Sequence, residues 1–107
     1  MFYRVHARLR KDAAAEFLAR LLDGTIAGQR PDGSEIVDSM KRAVVSDSGD
    51  IEWSEVCYCP TPLAHERTTV YDHHLDKLTT EPVDGYQEHT GRPFMEYLRE
   101  VAEGSSK

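Results

Sequence analysis

The first two dozen residues change their hydrophobic period at a single point, which restricts the fold more than any other feature. Apolar and polar side chains alternate over residues 2–9, as they do in a half-buried β-strand. Over residues 14–22 the apolar side chains recur every three or four positions, which is the spacing of an amphipathic helix, and Gly24 supplies a terminator. A strand followed at once by such a helix predicts a mixed α+β fold.

The rest of the chain supplies further elements by the same reasoning. The predicted elements are a short helix at 35–41, a hairpin at 42–58, a helix with buried-face residues Leu63, Val70, Tyr71 and His74, a strand at 78–81 and a helix from Pro93 onward. Side chains also predict where helices begin: Asp12, Asp32 with Glu35, and Thr61 with Pro62 have the residue types of helix N-termini.

This element order predicts a ferredoxin-like split βαβ fold. We expect a four-stranded antiparallel sheet with two main helices on one face, a short inserted helix and a C-terminal helix. Residues 1–103 should form a single α+β domain, and residues 104–107 a frayed C-terminal tail. The second sheet face needs cover, which the C-terminal helix or a second subunit would supply.

Charge and hydropathy exclude several classes of function. A net charge of −6 disfavours nucleic acid and anionic membranes as partners. The chain has no apolar run of the roughly 18 residues that a membrane span needs, and its N-terminus lacks the apolar core of a signal peptide. We therefore predict a cytoplasmic protein in which Cys57 and Cys59 are thiols, not a disulfide. No cofactor signature is present.

Both cysteines lie in the stretch CYCPTPLAHE, which raises the question of a metal or thiol site. Thiolates at positions i and i+2 can share one soft cation, and His65 is the nearest further ligand. The other candidate ligands are Glu66, His73, His74 and His89. None of these makes a standard zinc spacing. Two alternatives remain open: the cysteines fill space at a strand end, or Cys59 is a thiol activated near a helix start with His65 as its base.

A second candidate site lies on the inner face of the predicted sheet and helix. His74 falls within an apolar stripe beside Tyr71, and an inward histidine is either a core residue or a pocket residue. In an enzyme of this fold, His6, His74, Tyr71, Trp53 and Cys57 would meet in a cavity. The candidate ligand-binding residues are therefore Trp53, Cys57, Tyr71 and His74.

These observations leave three hypotheses for function, and whether the protein is an enzyme stays open. The first is a small binding or regulatory domain that forms a homodimer through the sheet face carrying Trp53 and binds an unknown small ligand or protein partner. The second is a small enzyme with a cavity lined by His74, Tyr71 and Trp53. The third is a metal-binding or thiol-redox protein that uses Cys57, Cys59 and His65.

Overall fold

The computed structural model describes residues 1–105, which form one antiparallel sheet of five strands and four helices. The strands are β1 (Phe2–Leu9), β2 (Val44–Val45), β3 (Ile51–Val56), β4 (Leu75–Val83) and β5 (Arg92–Pro93). The helices are α1 (Ala14–Leu22), α2 (Gly33–Arg42), α3 and α4 (Phe94–Ser105). Helix α3 combines α-helical Ala64–Glu66, a π-helical turn at Arg67–Tyr71 and α-helical Asp72–His74. The α+β class is confirmed.

The sheet has the strand order β4-β1-β3-β2-β5, and each neighbouring pair is antiparallel. The prediction of four strands was wrong, because Val44 and Val45 pair with Pro93 and Arg92 to add an edge strand. A proline is tolerated at an edge, where its missing N–H need not join a ladder. Two residues are too few to show a period, so only the pairing defines this strand.

Residues 84–91 cross the sheet, because β4 and β5 lie at its opposite edges. The crossing segment lies over the face away from the helices. The ring of Tyr86 packs edge-on against Phe2, with centroids 5.0 Å apart. Ser54 Oγ accepts the backbone N–H of Gln87 at 3.1 Å and is hydrogen-bonded to His89 Nε2 at 2.6 Å. This segment therefore covers part of the second face.

The C-terminal helix does not cover that second face. Helix α4 packs against α1 and α2, and its fully buried Phe94 and Leu98 belong to the same core cluster as the other helices. The cause is its amphipathic stripe, which joins the apolar layer over the inner sheet face. The helix continues to Ser105, past the start of the predicted frayed tail, and residues 106–107 of that tail lie outside the described residues.

The core lies between the helices and the sheet face that they cover, which is called the inner face. The hydrophobic spacing of the strands and helices predicts this position. Strand β1 alternates as expected, with Tyr3, Val5 and Ala7 buried. The four residues predicted for the inner face of the third helix are all buried: Leu63, Val70, Tyr71 and His74. None of the helices in residues 1–105 is long and apolar enough to cross a bilayer. The predicted periodicities thus placed the core correctly.

The predicted helix starts were less accurate than the helices themselves. Helix α1 begins at Ala14 after Asp12, which has a φ of 65° and does not cap it. Asp32 precedes α2 but makes no capping bond. Helix α3 begins at Ala64, three residues after Thr61, because Leu63 adopts a φ of 56°. The Asp32 carboxylate instead accepts hydrogen bonds from His65 and Gln29, so at this start side-chain contacts prevail over the local capping preference.

Candidate functional site

A pocket of about 290 Å³ lies where the start of α2, the end of β3 and the start of α3 meet. It is lined by Pro31, Asp32 and Glu35 from the first region, by Val56, Cys57, Tyr58 and Cys59 from the second, and by His65 and Glu66 from the third. The three regions are distant in sequence, so the fold assembles the pocket. It gathers both cysteines with several ionisable side chains.

Two thiols and one carboxylate form a tight cluster within this pocket. Oε1 of Glu66 lies 3.6 Å from Sγ of Cys57 and 3.5 Å from Sγ of Cys59, so each thiol can donate to it. The candidate ligand atoms of the three residues all lie within 4.8 Å of one another. Glu66 and Cys57 are buried, whereas Cys59 is half-buried. Burial raises the pKa of the Cys57 thiol to about 12, so this thiol is protonated at neutral pH.

The cluster forms because the chain turns back immediately after β3. The strand ends at Val56, and the backbone N–H of Cys59 donates to Sγ of Cys57 at 3.2 Å, which folds the two cysteines towards each other. Leu63 is fully buried in the left-handed conformation and ends this turn. The first turn of α3 then brings Glu66 back to the thiols.

The structure brings the two cysteines together as predicted but places Glu66 beside them instead of His65. His65 lines the same pocket without belonging to the cluster. Adjacent residues on a helix point about 100° apart, so the two side chains cannot share one position. The sequence did hold a signal: Glu66 lies three residues after Leu63 and four before Val70, on the apolar side of the helix.

His65 is held by a hydrogen-bonded pair at the edge of the pocket. Its Nδ1–H donates to Oδ2 of Asp32 at 2.5 Å, and this bond raises the pKa of His65. Gln29 Nε2 donates to Oδ1 of Asp32 at 2.9 Å and to Oγ1 of Thr69 at 2.8 Å, which fixes the aspartate. In the described part of the chain, Nε2 of His65 has no hydrogen-bond partner. The imidazole is therefore oriented with one nitrogen available.

Glu55 is fully buried in β3 and accepts two hydrogen bonds on one oxygen. The hydroxyl of Tyr71 and Nε1–H of Trp53 both donate to Oε1, the latter at 2.9 Å. Among the described residues, Oε2 has no hydrogen-bond partner. Burial raises the pKa of Glu55 to about 8, so the carboxyl is mainly neutral at pH 7. Trp53 and Tyr71 are thus bound to an internal acid and do not line the pocket.

His74 is buried in the core and does not line the pocket. Its ring stacks on Phe17 with centroids 4.7 Å apart, and its Nδ1–H donates to the carbonyl of Val70 at 2.8 Å. Nε2 has no hydrogen-bond partner among the described residues and lies 3.5 Å from a carboxylate oxygen of Glu16. Burial lowers the pKa of His74. His73 and His89 also lie outside the cluster.

The arrangement combines soft ligands, a buried carboxylate and a pocket with an oriented imidazole at its edge. Such a donor set can hold a borderline-soft cation, and the pocket can admit a small molecule next to it. Comparison with protein-family models, with curated proteins and with solved structures finds no match to this chain.

Proposed function

We propose that the protein binds one divalent transition-metal ion of the zinc type through Cys57, Cys59 and Glu66. The observation that carries this proposal is the close approach of both thiols to a single buried carboxylate oxygen. Three further arguments support it: the spacing of the donors, their chemical type and the lack of an ion pair for Glu66 within residues 1–105.

Two of the three donor spacings match the edges of a coordination tetrahedron. Zinc binds sulfur at about 2.3 Å and carboxylate oxygen at about 2.1 Å, so a sulfur and an oxygen at a tetrahedral angle lie about 3.6 Å apart. The observed sulfur–oxygen separations are 3.6 Å for Cys57 and 3.5 Å for Cys59. The two sulfurs lie within 4.8 Å of each other, so they share one neighbourhood with the carboxylate oxygen.

The donor type selects the class of metal. Thiolate ligands favour zinc, copper(I) and related soft ions over magnesium and calcium, which prefer oxygen. Two thiolates with one carboxylate make a set of three, and three protein ligands are typical of zinc sites that keep one position open. Binding at neutral pH would release the thiol protons, because only thiolates ligate.

A cation would also compensate the buried carboxylate. Glu66 has only 1% of its surface exposed, and a buried carboxylate is costly unless it is paired. Within residues 1–105, no lysine, arginine or histidine forms an ion pair with it. The thiol hydrogen bonds are the partners that the side chain has. A metal ion would replace two weak donors by a full opposite charge.

The test is direct measurement of metal binding. The protein, reduced with a phosphine and freed of metal, is titrated with Zn²⁺ against a chromophoric chelator. We expect one ion per chain. The variants C57S, C59S and E66Q should each lower the affinity at least about a hundredfold, because each removes a ligand. Asp72→Asn, an exposed acid on the same helix, is the matched control. Wild-type affinity in E66Q and C57S, or no binding at all, would overturn the proposal.

The strand order β4-β1-β3-β2 supports a ferredoxin-like split βαβ arrangement with β5 added at one edge. We place the protein in the cytoplasm, where reducing conditions keep both thiols available. Self-association as a homodimer stays a prediction. Trp53, which motivated it, is fully buried among the helices, so such a dimer would have to use other residues. The oligomeric state in solution tests it.

A further inference from the structure

We infer that Cys57 and Cys59 form a reversible dithiol–disulfide couple, and that formation of the disulfide releases the bound metal. The oxidant is a small hydroperoxide, and the reductant is a dithiol. The release of metal rests on the proposed metal site, whereas the couple itself is a property of the metal-free chain as well. Glu66 sets the balance between the two oxidation states.

The first step is the proximity of the two sulfurs, which lie within 4.8 Å of each other. The chain leaves the strand at Val56, and the backbone N–H of Cys59 donates to Sγ of Cys57 at 3.2 Å, so the cysteines are not held along an extended strand. Tyr58 between them is 88% exposed, so its ring does not separate the sulfurs. A disulfide needs a sulfur–sulfur distance of about 2.05 Å. Rotation of the half-buried Cys59 side chain can close the gap.

The second step is that the two sulfurs differ in access. Cys59 is half-buried at the pocket, whereas Cys57 is only 3% exposed, so a hydroperoxide in the pocket reaches Cys59 first. With hydrogen peroxide, a sulfur–oxygen bond forms on Cys59, the oxygen–oxygen bond breaks, and the thiol proton leaves in a water molecule. Cys57 then attacks that sulfur: the disulfide bond forms, the sulfur–oxygen bond breaks, and the second proton leaves in a second water. The peroxide thus takes two electrons, and a dithiol returns them by exchange.

The third step concerns Glu66, which prefers the dithiol. In the metal-free protein both thiols can donate to its Oε1, and within residues 1–105 these are the hydrogen bonds that this side chain has. A disulfide carries no S–H, so oxidation removes both donors and leaves a buried carboxylate without a partner, which is costly. Glu66 therefore makes the disulfide easy to reduce. Oxidation of the metal-bound protein removes two of the three proposed ligands, so the metal is released.

The first experiment maps the disulfide in the metal-free protein. After one equivalent of hydrogen peroxide, mass spectrometry of peptides should find a disulfide within the chain that dithiothreitol reduces. With dimedone present, Cys57→Ser should give an adduct on Cys59, and Cys59→Ser should give far less adduct, because Cys57 is buried. Circular dichroism checks the fold of both variants. Sulfinic acid or cross-linked chains in place of the internal disulfide of the wild type would overturn the inference, and equal adduct in the two variants would overturn the order of attack.

The second experiment measures the effect of Glu66. Equilibration of the metal-free protein with oxidised and reduced dithiothreitol gives the ratio of disulfide to dithiol. Glu66→Gln should raise this ratio about tenfold, because a buried amide without donors costs less than a buried carboxylate without donors. Asp72→Asn, an exposed acid on the same helix, is the matched control and should leave the ratio unchanged. An unchanged ratio in Glu66→Gln would overturn the role of Glu66.

The third experiment links the couple to the metal. Hydrogen peroxide added to the zinc-loaded protein should release one zinc ion for each disulfide into a chromophoric chelator that leaves the reduced protein loaded, and reduction should restore binding. Zinc that stays on the disulfide form would overturn the release. A chain that forms the disulfide but never binds Zn²⁺ overturns the proposed function alone. A chain that binds Zn²⁺ but never forms the disulfide overturns this inference alone.

Discussion

Glu55 and Glu66 are both buried, and they are stabilised in different ways. Glu55 accepts hydrogen bonds from Tyr71 and Trp53, and its raised pKa keeps it mainly neutral at pH 7. Among the described residues, Glu66 is hydrogen-bonded to the two thiols alone, and it lines a pocket. Equal burial therefore does not indicate equal roles. The hydrogen-bond donors around each carboxylate show the difference: Glu55 is an internal acceptor, whereas Glu66 is a candidate metal ligand.

The largest effect should come from removing the internal acid. Glu55→Ala would leave the buried Tyr71 hydroxyl and the Trp53 N–H without an acceptor and would open a cavity. We expect the free energy of unfolding of the metal-free protein to fall by about 3–5 kcal/mol. Urea denaturation followed by tryptophan fluorescence measures this change.

Glu55→Gln provides the control for shape. Its amide oxygen can still accept from Tyr71 and Trp53, so the loss should be clearly smaller than in Glu55→Ala. Equal losses in the two variants would mean that the hydrogen bonds contribute little and that packing alone explains the burial of this side chain. The hydrogen bonds to Glu55 would then no longer distinguish it from Glu66.

The next effect is that Glu66→Gln should change the stability of the metal-free protein little but that of the zinc-bound protein strongly. Glu66→Gln should change the stability of the metal-free protein by less than about 1 kcal/mol, because the amide oxygen can still accept from both thiols. Zn²⁺ at a hundred times its dissociation constant should stabilise the wild type by about 2.7 kcal/mol and this variant hardly at all. Thermal denaturation with and without Zn²⁺ measures both quantities. Equal stabilisation by Zn²⁺ would exclude Glu66 as a ligand.

The sequence predicted the long periodic elements well, because burial of one face dictates their pattern. Strand β1, helix α1 and the inner face of α3 all follow from hydrophobic spacing alone. Strand β5 was missed because two residues carry no period. The path of residues 84–91 across the sheet was missed because it follows from the position of both edge strands, which is a property of the whole fold.

The candidate site was predictable in part. The pair of cysteines was visible and Glu66 stood among the candidate ligands, but nearness in sequence favoured His65 as the third. Helical position was the better guide, since Glu66 lies on the apolar side of α3, between Leu63 and Val70. A charged residue in an apolar stripe needs a partner in the core. The hydrogen bond between Asp32 and His65 could not be predicted from the sequence, because it depends on how α2 packs beside α3.

The smallest effect concerns His74, a buried histidine at the far end of α3 from Glu66. Its Nε2 has no hydrogen-bond partner in residues 1–105, and the question is whether such an atom implies a bound ligand. The groups facing it are Glu16 and Arg20 of α1 and the neighbouring His73. Burial lowers its pKa below the usual value near 6.5, so the unfolded chain takes up the proton first as pH falls. The stabilisation by the neutral ring is complete above about pH 6.5 and is lost as pH falls below it.

We therefore expect His74→Asn to reduce the loss of stability between about pH 7 and about pH 5, because an amide N–H can still donate to the Val70 carbonyl but does not titrate. His73→Asn removes only a neighbouring charge that contributes to the lowered pKa of His74, so it should reduce that loss by less than His74→Asn does. Urea denaturation at both pH values measures the two variants against the wild type. A larger loss of stability in His74→Asn than in the wild type would show that the folded protein favours the protonated ring, with Glu16 as its counter-ion. Nε2 of His74 would then form an ion pair with Glu16. Like Glu55, His74 would have its partner within the protein and would imply no bound ligand.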